Sequence, residues 1–590
     1  MKIPTTKNLS TAVATLAATV VLSACSEPSQ RVTVFDFAEE ARWLDDDSSA
    51  AEYLAGDNAL RLMRGDGATF YAEIPNDAAL EIDSIGSTRQ SGRLLLTVET
   101  EGIAILQEQL PVGSTKLRIS LQERPGFSKI TFLASDFDSG RILEISEPRI
   151  TATRPPQTPT PNSVIETASF EDERKPHIFI YLSDTLRADR LGPWGGDPEL
   201  TPNLNRFAAS ATVALDAVNQ SPWTRASVGS LFTGIEPHRN GVATRDSSLA
   251  DEAVTMAEYL GSLGYDTAGL VTNGNAGEKY GLHQGFDYYW RPGGQWKSDF
   301  MVVDAMSDFL DNRQDAERPL FAYLHMLDPH APYRPASEDI ERLAATEVDP
   351  ARGELDFLKQ YRNRKNEPVP PAVAEDITRL YDAEVSGTDR VFAAFLELLK
   401  KHDLFDNSII IFLADHGEAF WEHETWGHGH TLHHELLAMP FIIRMPGQSE
   451  GATLDRVVQH IDVLPSLLSV LGAGLPNFLS GNSFFEVPQE EAEAFSALDL
   501  DGRRAWSLTT PEWKLLQEVN RSGRDRPPLL YDRIRDRDEA QNIASQRPLV
   551  VGALMHRLNR TRRAAIVFGP GRAPDIDAAL ESELRALGYL

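Results

Sequence analysis

Between residues 177 and 472, runs of consecutive apolar residues alternate with segments of helical periodicity. The apolar runs cover 177–184, 265–273, 319–328, 407–415 and 439–447, and the helical segments cover 254–264, 389–402 and 461–472. A strand whose residues are apolar in succession is buried on both faces, which is typical of parallel sheets covered by helices. The pattern therefore predicts an α/β unit built on a mostly parallel sheet.

The carboxyl ends of these strands are where a ligand site is expected, because ligands of such sheets bind beyond that edge. Asp184, Asp328 and Asp415 each close an apolar run, and His416 follows Asp415. One aspartate after a strand often only caps the next helix. Two carboxylates and an imidazole at one edge would instead form a divalent metal site. The histidine shifts the preference from calcium or magnesium towards manganese or zinc.

Thr224 lies in the stretch SPWTRASVGSLFTG, residues 221–234, which predicts the start of a helix. A hydroxyl there lies near free backbone N–H groups that favour anions. A threonine hydroxyl is a poor nucleophile on its own, but a bound divalent cation makes its alkoxide accessible. Thr224 is therefore a candidate nucleophile, and the alternative is that it only caps the helix.

Short β-rich runs with turn signals between them fill residues 31–150. Their spacing and period-two patterning predict a small all-β sandwich domain before the α/β unit. Residues 151–176 contain a Pro/Thr-rich stretch that cannot build a core, and they are predicted to be a linker. The sandwich carries no aromatic platform that would indicate a ligand.

Residues 1–25 have the pattern of a bacterial lipoprotein signal peptide, with early lysines, an apolar stretch and Leu22-Ser23-Ala24-Cys25. Lipidation of Cys25 would tether the protein to a membrane of the bacterial cell envelope, on its periplasmic or surface side. Ser26 favours the outer membrane. The alternatives are a plain secretory signal and an uncleaved anchor.

Two features of the composition exclude whole classes of function. The formal net charge is −30, whereas binding to a nucleic-acid backbone needs clustered basic residues, so no nucleic-acid partner is expected. Cys25 is the only cysteine, which leaves no thiol for a disulfide, a metal site or a nucleophile in the mature fold.

In order along the chain, eight stretches resemble the landmarks of the sulfatase family within the alkaline phosphatase superfamily. They are SDTLRADRLG (183–192), TPNLNRFA (201–208), SPWTRASVGSLFTGIEPHRNGV (221–242), YGLHQGFDYY (280–289), LDPHAPY (327–333), ADHGE (414–418), GHGHTLHHELLAMPFIIRMPG (427–447) and LLYDRIRDRDEAQNIA (529–544). The resemblance implies a sulfatase-like catalytic core over residues 177–480, completed by a C-terminal subdomain over 481–590. It also implies one divalent metal ion (Mn, Zn, Ca or Mg) and a covalent intermediate that is hydrolysed in a second step.

The resemblance also implies roles for individual residues. Asp184, Asp415 and His416 fall on metal-ligand positions, and Thr224 falls on the nucleophile position, where it would also bind the metal. His330 matches the histidine that assists departure of the leaving group. His430 and His428 lie near the position of a substrate-binding lysine. His430 is preferred, and with His433 and His434 nearby, some of these four histidines are expected to lie behind the site or on the surface.

Departures from the family pattern change the expected chemistry. Sulfatases carry a Cys or Ser, oxidised to formylglycine, at the position of Thr224, and an arginine at the position of Val228. Thr185 replaces a second metal-binding aspartate. No formylglycine is therefore expected. The set Asp184, Thr224, Asp415 and His416 resembles the threonine-nucleophile branch of the superfamily, which implies phosphate, phosphodiester or phosphonate chemistry over sulfate esters.

We thus expect a hydrolase of a small anionic ester, or of a sulfated or phosphorylated glycan or lipid. The alternative is a catalytically inactive lipoprotein that binds anions or glycans.

Overall fold

The computed structural model describes residues 31–37, 51–54, 58–63, 67–75, 77–87, 93–100, 103–121, 126–135, 142–153, 175–292, 296, 298–343, 348–362, 368–485, 492–574 and 576–589. The predicted signal peptide with Cys25, and residues 154–174 of the predicted linker, lie outside these ranges. Within them, no helix is long and apolar enough to cross a membrane.

The first eleven strands form two antiparallel sheets. Their bounds are β1 Arg31–Asp36, β2 Ala51–Leu54, β3 Ala59–Met63, β4 Gly67–Ile74, β5 Ala79–Ser87, β6 Arg93–Thr100, β7 Ile103–Pro111, β8 Thr115–Ser120, β9 Gly126–Ser135, β10 Ile142–Ser146 and β11 Arg149–Thr153. One sheet has the order β1-β11-β5-β10-β3-β2 with β8 also paired to β5, and the other has the order β4-β9-β6-β7.

A single hydrophobic core lies between these two sheets and includes Leu80 and Ile145 from one, and Phe70 and Phe132 from the other. This agrees with the predicted sandwich character. Strand β11 continues three residues past the predicted domain end at 150, because Arg31–Asp36 pairs along its whole length.

The central sheet follows. Its strands are β12 His177–Ser183, β13 Thr212–Val218, β14 Asp266–Val271, β15 Tyr288–Trp290, β16 Leu320–Met326, β17 Ser408–Ala414, β20 Phe441–Arg444 and β21 Ala452–Gln459, with the short pair β18 Ala419–Phe420 and β19 Trp426–Gly427 outside it. The order is β15-β14-β16-β12-β17-β20-β13-β21. The sheet is mostly parallel, as predicted, but the predicted strand at 439–447 is shorter and runs antiparallel to both of its neighbours.

The α-helices are α1 Pro202–Ala208, α2 Thr224–Thr233, α3 Pro237–Asn240, α4 Met256–Ser262, α5 Phe300–Asn312, α6 Ser337–Leu343, α7 Leu355–Leu358, α8 Pro371–Lys401, α9 His434–Leu437, α10 Val463–Val470, α11 Pro548–Arg562 and α12 Ala578–Ala586. Short 3-10 turns lie at Ala188–Arg190, Gly192–Trp194, Gly274–Ala276, Glu278–Tyr280, Pro350–Gly353, Lys359–Tyr361, His460–Asp462 and Ala544–Gln546. The helix predicted over 389–402 is the second half of the 31-residue helix α8.

Helices cover both faces of the central sheet. The ring of Tyr181 in β12 packs against Phe392 of α8. Tyr323 of β16 packs against Phe232 of α2 and stands opposite Ile180, the neighbour of Tyr181. Because successive strand residues point to opposite faces, α8 and α2 lie on opposite sides of the sheet. The sheet is therefore buried on both faces, which explains its continuous apolar runs.

A four-stranded antiparallel sheet completes the chain, with the order β22 Ala494–Leu500, β23 Arg503–Thr509, β24 Trp513–Val519 and β25 Leu529–Asp532. Helix α11 packs between this sheet and the first eleven strands, since Leu554 shares a cluster with Leu508 of β23 and Phe127 of β9. Helix α12 returns towards the carboxyl edge of the central sheet, close to the 3-10 turn Gly274–Ala276.

Candidate active site

Four of the residues singled out from the sequence meet at the carboxyl edge of the central sheet. Strands β12 and β17 are parallel neighbours in register, which places Asp184 and Asp415 side by side. The Nε2 atom of His416 lies 3.4 Å from Oδ2 of Asp415, 3.9 Å from Oδ1 of Asp184 and 3.3 Å from Oγ1 of Thr224. Thr224 is the first residue of α2, so it reaches this edge from the helix N-terminus.

The two carboxylates each keep one oxygen without a hydrogen-bond partner among the described residues. These are Oδ1 of Asp184 and Oδ2 of Asp415, and both are buried. The other oxygen of Asp415 accepts from the backbone N–H of Thr185 at 3.1 Å and of His416 at 2.9 Å. Buried carboxylate oxygens without a donor are costly unless a cation binds them. The donor set of two carboxylates, an imidazole and a hydroxyl therefore fits a divalent metal ion.

The electrostatics of the two carboxylates differ. Burial and the neighbouring charge of Asp184 raise the pKa of Asp415 to about 6. Burial alone would also raise the pKa of Asp184, but the adjacent His330 and His325 hold it below its usual range. Two buried carboxylates that repel each other are an arrangement that a cation stabilises.

Two neighbours of Asp184 were not predicted. His325, inside β16, places Nε2 at 3.1 Å from Oδ2 of Asp184, and its Nδ1 lies 2.8 Å from the hydroxyl of Tyr323. Potential ligand atoms of Asp184, His325 and Asp415 all lie within 4.8 Å of one another. Asn273 donates from Nδ2 to the same Asp184 oxygen at 2.5 Å. Asn273 closes the apolar run 265–273, so its position at a strand end could have marked it as a site residue. His325 lies within its strand, where no such position marks it.

His330 lies beside this group with one nitrogen free. Its Nδ1–H donates to the carbonyl of Ala331 at 2.6 Å, and Nε2 has no hydrogen-bond partner among the described residues. Burial lowers the pKa of His330 to about 4. The ring is therefore neutral at pH 7, and the free Nε2 is the atom that can take or hold a proton next to a bound ester.

Of the two histidines predicted to contact substrate, His428 lies nearer the group. Its ring centroid is 4.5 Å from that of His416 and 5.0 Å from that of His330, and its Nδ1 lies 3.0 Å from Oε1 of Glu418. His430 does not line the cavity described below, although both its nitrogens lack hydrogen-bond partners among the described residues. This placement therefore favours His428 as the histidine that contacts the substrate, whereas the sequence favoured His430.

His433, in the same stretch, is structural. Its ring stacks on that of His423 at 3.6 Å, and its two nitrogens lie next to the hydroxyls of Thr431 and Tyr531. His423 in turn pairs with Glu435 at 2.9 Å. These side chains satisfy one another's hydrogen bonds, and His433 does not line the cavity described below.

The positions at which the sequence departs from the sulfatase pattern bring no charge to Thr224. Val228 is fully buried in the core, and the guanidinium of Arg225 lies 3.3 Å from the ring centroid of Tyr280. Arg225 also donates to Oδ1 of Asn275 at 2.8 Å, so it does not reach the nucleophile position. Thr185 adopts a φ of 59° with its hydroxyl buried.

A cavity of about 280 Å³ opens next to His330 and His428. Its wall carries Arg245, Lys359 and Arg362, and Arg245 is paired with Asp501 at 2.6 Å. The same wall carries the carboxylates of Glu418 and Asp501, so its three cations exceed its carboxylates by one. In a chain of net charge −30, this small local excess of positive charge favours an anionic ligand.

Comparison with known proteins agrees with this geometry. Residues 176–473, half of the chain, match the model of the family described as Sulfatase. The chain belongs to the sulfatase family. Within that family it is 26% identical over 457 residues to an endo-4-O-sulfatase of Bacteroides thetaiotaomicron, which covers 63% of this chain and 89% of that relative. It is also 26% identical over 374 residues to an ulvan-active sulfatase of Formosa agariphila, covering 56% and 69% of the two chains.

Solved structures share the fold. A solved structure of a protein in complex with its substrate D-glucosamine-2-N,6-O-disulfate superposes with a TM-score of 0.55 at 21% identity, over 66% of this chain and 98% of the other. The phosphonate monoester hydrolase of Agrobacterium radiobacter gives a TM-score of 0.55 at 18% identity, over 66% and 95%. The predicted sulfatase and alkaline phosphatase type of α/β fold is confirmed by these neighbours.

Proposed function

We propose that this sulfatase-family protein is a metal-dependent ester hydrolase in which Thr224 is the nucleophile. The observation that carries the proposal is the position of Thr224 Oγ1, 3.3 Å from Nε2 of His416 and beside two carboxylates that each keep one oxygen without a hydrogen-bond donor among the described residues. A divalent cation held by Asp184, Asp415, His416 and Thr224 would neutralise the charge of the ester and lower the pKa of the hydroxyl.

The proposed reaction has two steps. The hydroxyl proton of Thr224 is released to solvent when its alkoxide forms, and Nε2 of His330 takes up a proton from solvent when the anionic ester binds beside it. Thr224 Oγ1 then forms a bond to the sulfur or phosphorus of the ester, the bond from that atom to the leaving oxygen breaks, and the departing oxygen takes the proton from Nε2 of His330. Water next attacks the ester on Thr224 and gives one proton to Nε2 of His330, its hydroxyl group stays on the released phosphate or sulfate, and the bond to Oγ1 breaks to restore the alkoxide. Helix α2 begins at Thr224 without a side-chain cap, so its first backbone N–H groups would stabilise the negative charge of the transferred group.

Thr224 favours phosphorus over sulfur. The chain has no cysteine that could be oxidised to formylglycine at this position, so the intermediate is a plain threonine ester. Two relatives are named as an endo-4-O-sulfatase and an ulvan-active sulfatase, and one fold neighbour is named as a phosphonate monoester hydrolase. We therefore propose an anionic phosphate, phosphodiester, phosphonate or sulfate ester as substrate, with a glycan or lipid as its alcohol. The cations Lys359 and Arg362 on the cavity wall support a substrate that carries further negative charge.

The test is turnover of aryl phosphate monoesters, diesters, phosphonates and sulfates by the purified protein loaded with Mn²⁺, Zn²⁺, Ca²⁺ or Mg²⁺. A stalled reaction should add the mass of a phosphoryl or sulfuryl group to the peptide that contains Thr224. Turnover of at least one ester class, with that label, supports the proposal. No turnover with any pairing of metal and ester would contradict it and favour the binding-protein alternative.

We also propose that the protein is a lipid-anchored component of the bacterial cell envelope. The proposal rests on the lipobox pattern that ends at Cys25. Because Cys25 is the only cysteine, labelling of cells with a fatty-acid analogue offers a clean test, with Cys25→Ser as the control. The wild type should carry the label and sediment with membranes, and the variant should not. An unlabelled wild-type protein would refute the anchor.

A further inference from the structure

The side chain of Tyr589 occupies the space in front of the proposed nucleophile. Its hydroxyl lies 3.0 Å from Oγ1 of Thr224 and accepts from Nδ2 of Asn273 at 3.1 Å. Its ring packs against His330, with centroids 5.3 Å apart, and against His428 at 6.0 Å. The phenol therefore contacts both Thr224, the proposed nucleophile, and His330, the proposed proton donor to the leaving group.

The sulfur or phosphorus atom of an ester must stand about 3 to 3.5 Å from the attacking oxygen. The phenol oxygen of Tyr589 already holds that position. In agreement, Thr224, Asp415 and His416 are each 0% exposed. The cavity is lined by His330, His428 and Tyr589 but not by Thr224, so Tyr589 separates the open space from the nucleophile.

Specific contacts hold the segment that carries this tyrosine, residues 576–589, in place. The carboxylate of Asp577 accepts from the backbone N–H of Ala579 and Leu580 at the start of α12. Both carboxylate oxygens of Glu583 accept from Nη2 of Arg291, at 2.6 and 2.8 Å. Arg245 donates to the carbonyl oxygen of Tyr589. The segment is thus docked on the catalytic unit by its own interactions.

The phenol can leave without undocking the helix. Gly588 has a φ of 81°, in the left-handed region that glycine adopts freely, and it is the only residue between Tyr589 and Leu587, which follows α12. A change of backbone angles at Gly588 would move the phenol away and would break the bonds from Arg245 to the carbonyl oxygen of Tyr589 and from the N–H of Tyr589 to the carbonyl of Leu584, while Arg291 keeps Glu583. An ester can then enter from the cavity.

We propose that Tyr589 is a specificity-determining residue of this site: it occupies the position of the ester group, and only a substrate that displaces it reaches Thr224. This inference deepens the proposed function and rests on it for the identity of the nucleophile. A substrate must offer more than the two hydrogen bonds and ring contacts that the phenol gives up. The site thereby excludes weakly held esters and selects for those with additional anionic contacts on the cavity wall.

The experiment measures binding, so it does not depend on turnover. Inorganic phosphate and sulfate are titrated calorimetrically into the full-length protein with Mg²⁺ present, for the wild type, Tyr589→Ala and Tyr589→Phe. Loss of the competing hydrogen bonds and ring should tighten oxyanion binding by about 10-fold in the alanine variant and less in the phenylalanine variant, which keeps the ring. Arg585→Ala, an exposed change on the same helix, is the matched control and should leave the affinity unchanged.

Affinities equal to or weaker than that of the wild type in Tyr589→Ala would overturn the inference. A large fall in kcat without tighter oxyanion binding would do the same, because Tyr589 would then serve the reaction rather than compete with the substrate. Tighter binding in a set of proteins that show no turnover would leave this inference standing and refute the proposed hydrolase instead. Tyr589→Phe guards against a folding defect, since the ring remains.

Discussion

The hydroxyl of Thr224 lies 3.3 Å from Nε2 of His416, although 191 residues separate them along the chain. The contact exists because α2 begins at the edge of the sheet where β17 ends. His416 reaches back to Asp415 with the same nitrogen, at 3.4 Å. Residues that only capped separate helices would not bring a hydroxyl, an imidazole and a carboxylate together. Their convergence supports one shared site.

We expect Thr224→Ala to abolish turnover while the protein keeps its fold and most of its metal affinity. Asp184, Asp415 and His416 remain in that variant, but the attacking oxygen is gone, and removal of a nucleophile costs several orders of magnitude in kcat. Thr224→Ser should retain more activity than Thr224→Ala because a hydroxyl remains. Thr233→Ala, in the same helix, is the control for loss of a buried threonine. Near-normal kcat in Thr224→Ala would rule out this nucleophile.

Asp415→Asn and His416→Ala should each lower metal occupancy and kcat together. Nε2 of His416 lies close to the free oxygens of both Asp184 and Asp415, so these atoms can bind one metal ion together. Loss of one of these ligands lowers the affinity for the metal. The measurement is metal content by elemental analysis alongside kcat, with and without excess metal. Partial rescue by excess metal supports direct ligation. Full activity of either variant in chelator would show that the metal site lies elsewhere.

The sequence predicted the position of this site because buried parallel strands appear as apolar runs, and ligands bind beyond the carboxyl ends of such strands. Asp184, Asp415 and His416 end two apolar runs, and the strands that carry them are neighbours in the sheet. The antiparallel direction of β20 could not be predicted, since an apolar run has the same appearance in either direction.

Contacts over long sequence separations were the other part that the sequence did not predict. Tyr589 stands 365 residues from Thr224, just after helix α12, whose sequence is an ordinary mixture of apolar and charged residues. His325 lies within an apolar strand, where a histidine is as often a core residue as a ligand. No local pattern marks either residue, because their role depends on how distant elements pack.

Stability of the C-terminal sheet should depend on a buried ion pair between Lys514 and Glu539, whose side chains are each 2% exposed and 2.7 Å apart. Burial lowers the pKa of Lys514 even with Glu539 beside it, so the lysine without its partner is a costly buried charge. Glu539→Gln should lower the free energy of unfolding by about 3 to 5 kcal/mol. Glu518→Gln, which removes the exposed pair with Arg526, should cost about 0 to 1 kcal/mol. Equal losses in urea unfolding would contradict the prediction.

His330→Ala should slow esters with poor leaving groups far more than activated aryl esters. Its Nε2 lies beside the nucleophile group and, once it has taken up a proton with the bound anion, can protonate a departing oxygen, which matters least when that oxygen is already a stable anion. The loss should reach about 10² to 10⁴-fold for alcohols of high pKa. The measurement is a leaving-group series, with the logarithm of kcat/KM plotted against leaving-group pKa for both proteins. A steeper negative slope in the variant supports proton donation. Parallel lines would mean that His330 only holds the loop through its bond to Ala331, and would leave departure of the alcohol to the metal site.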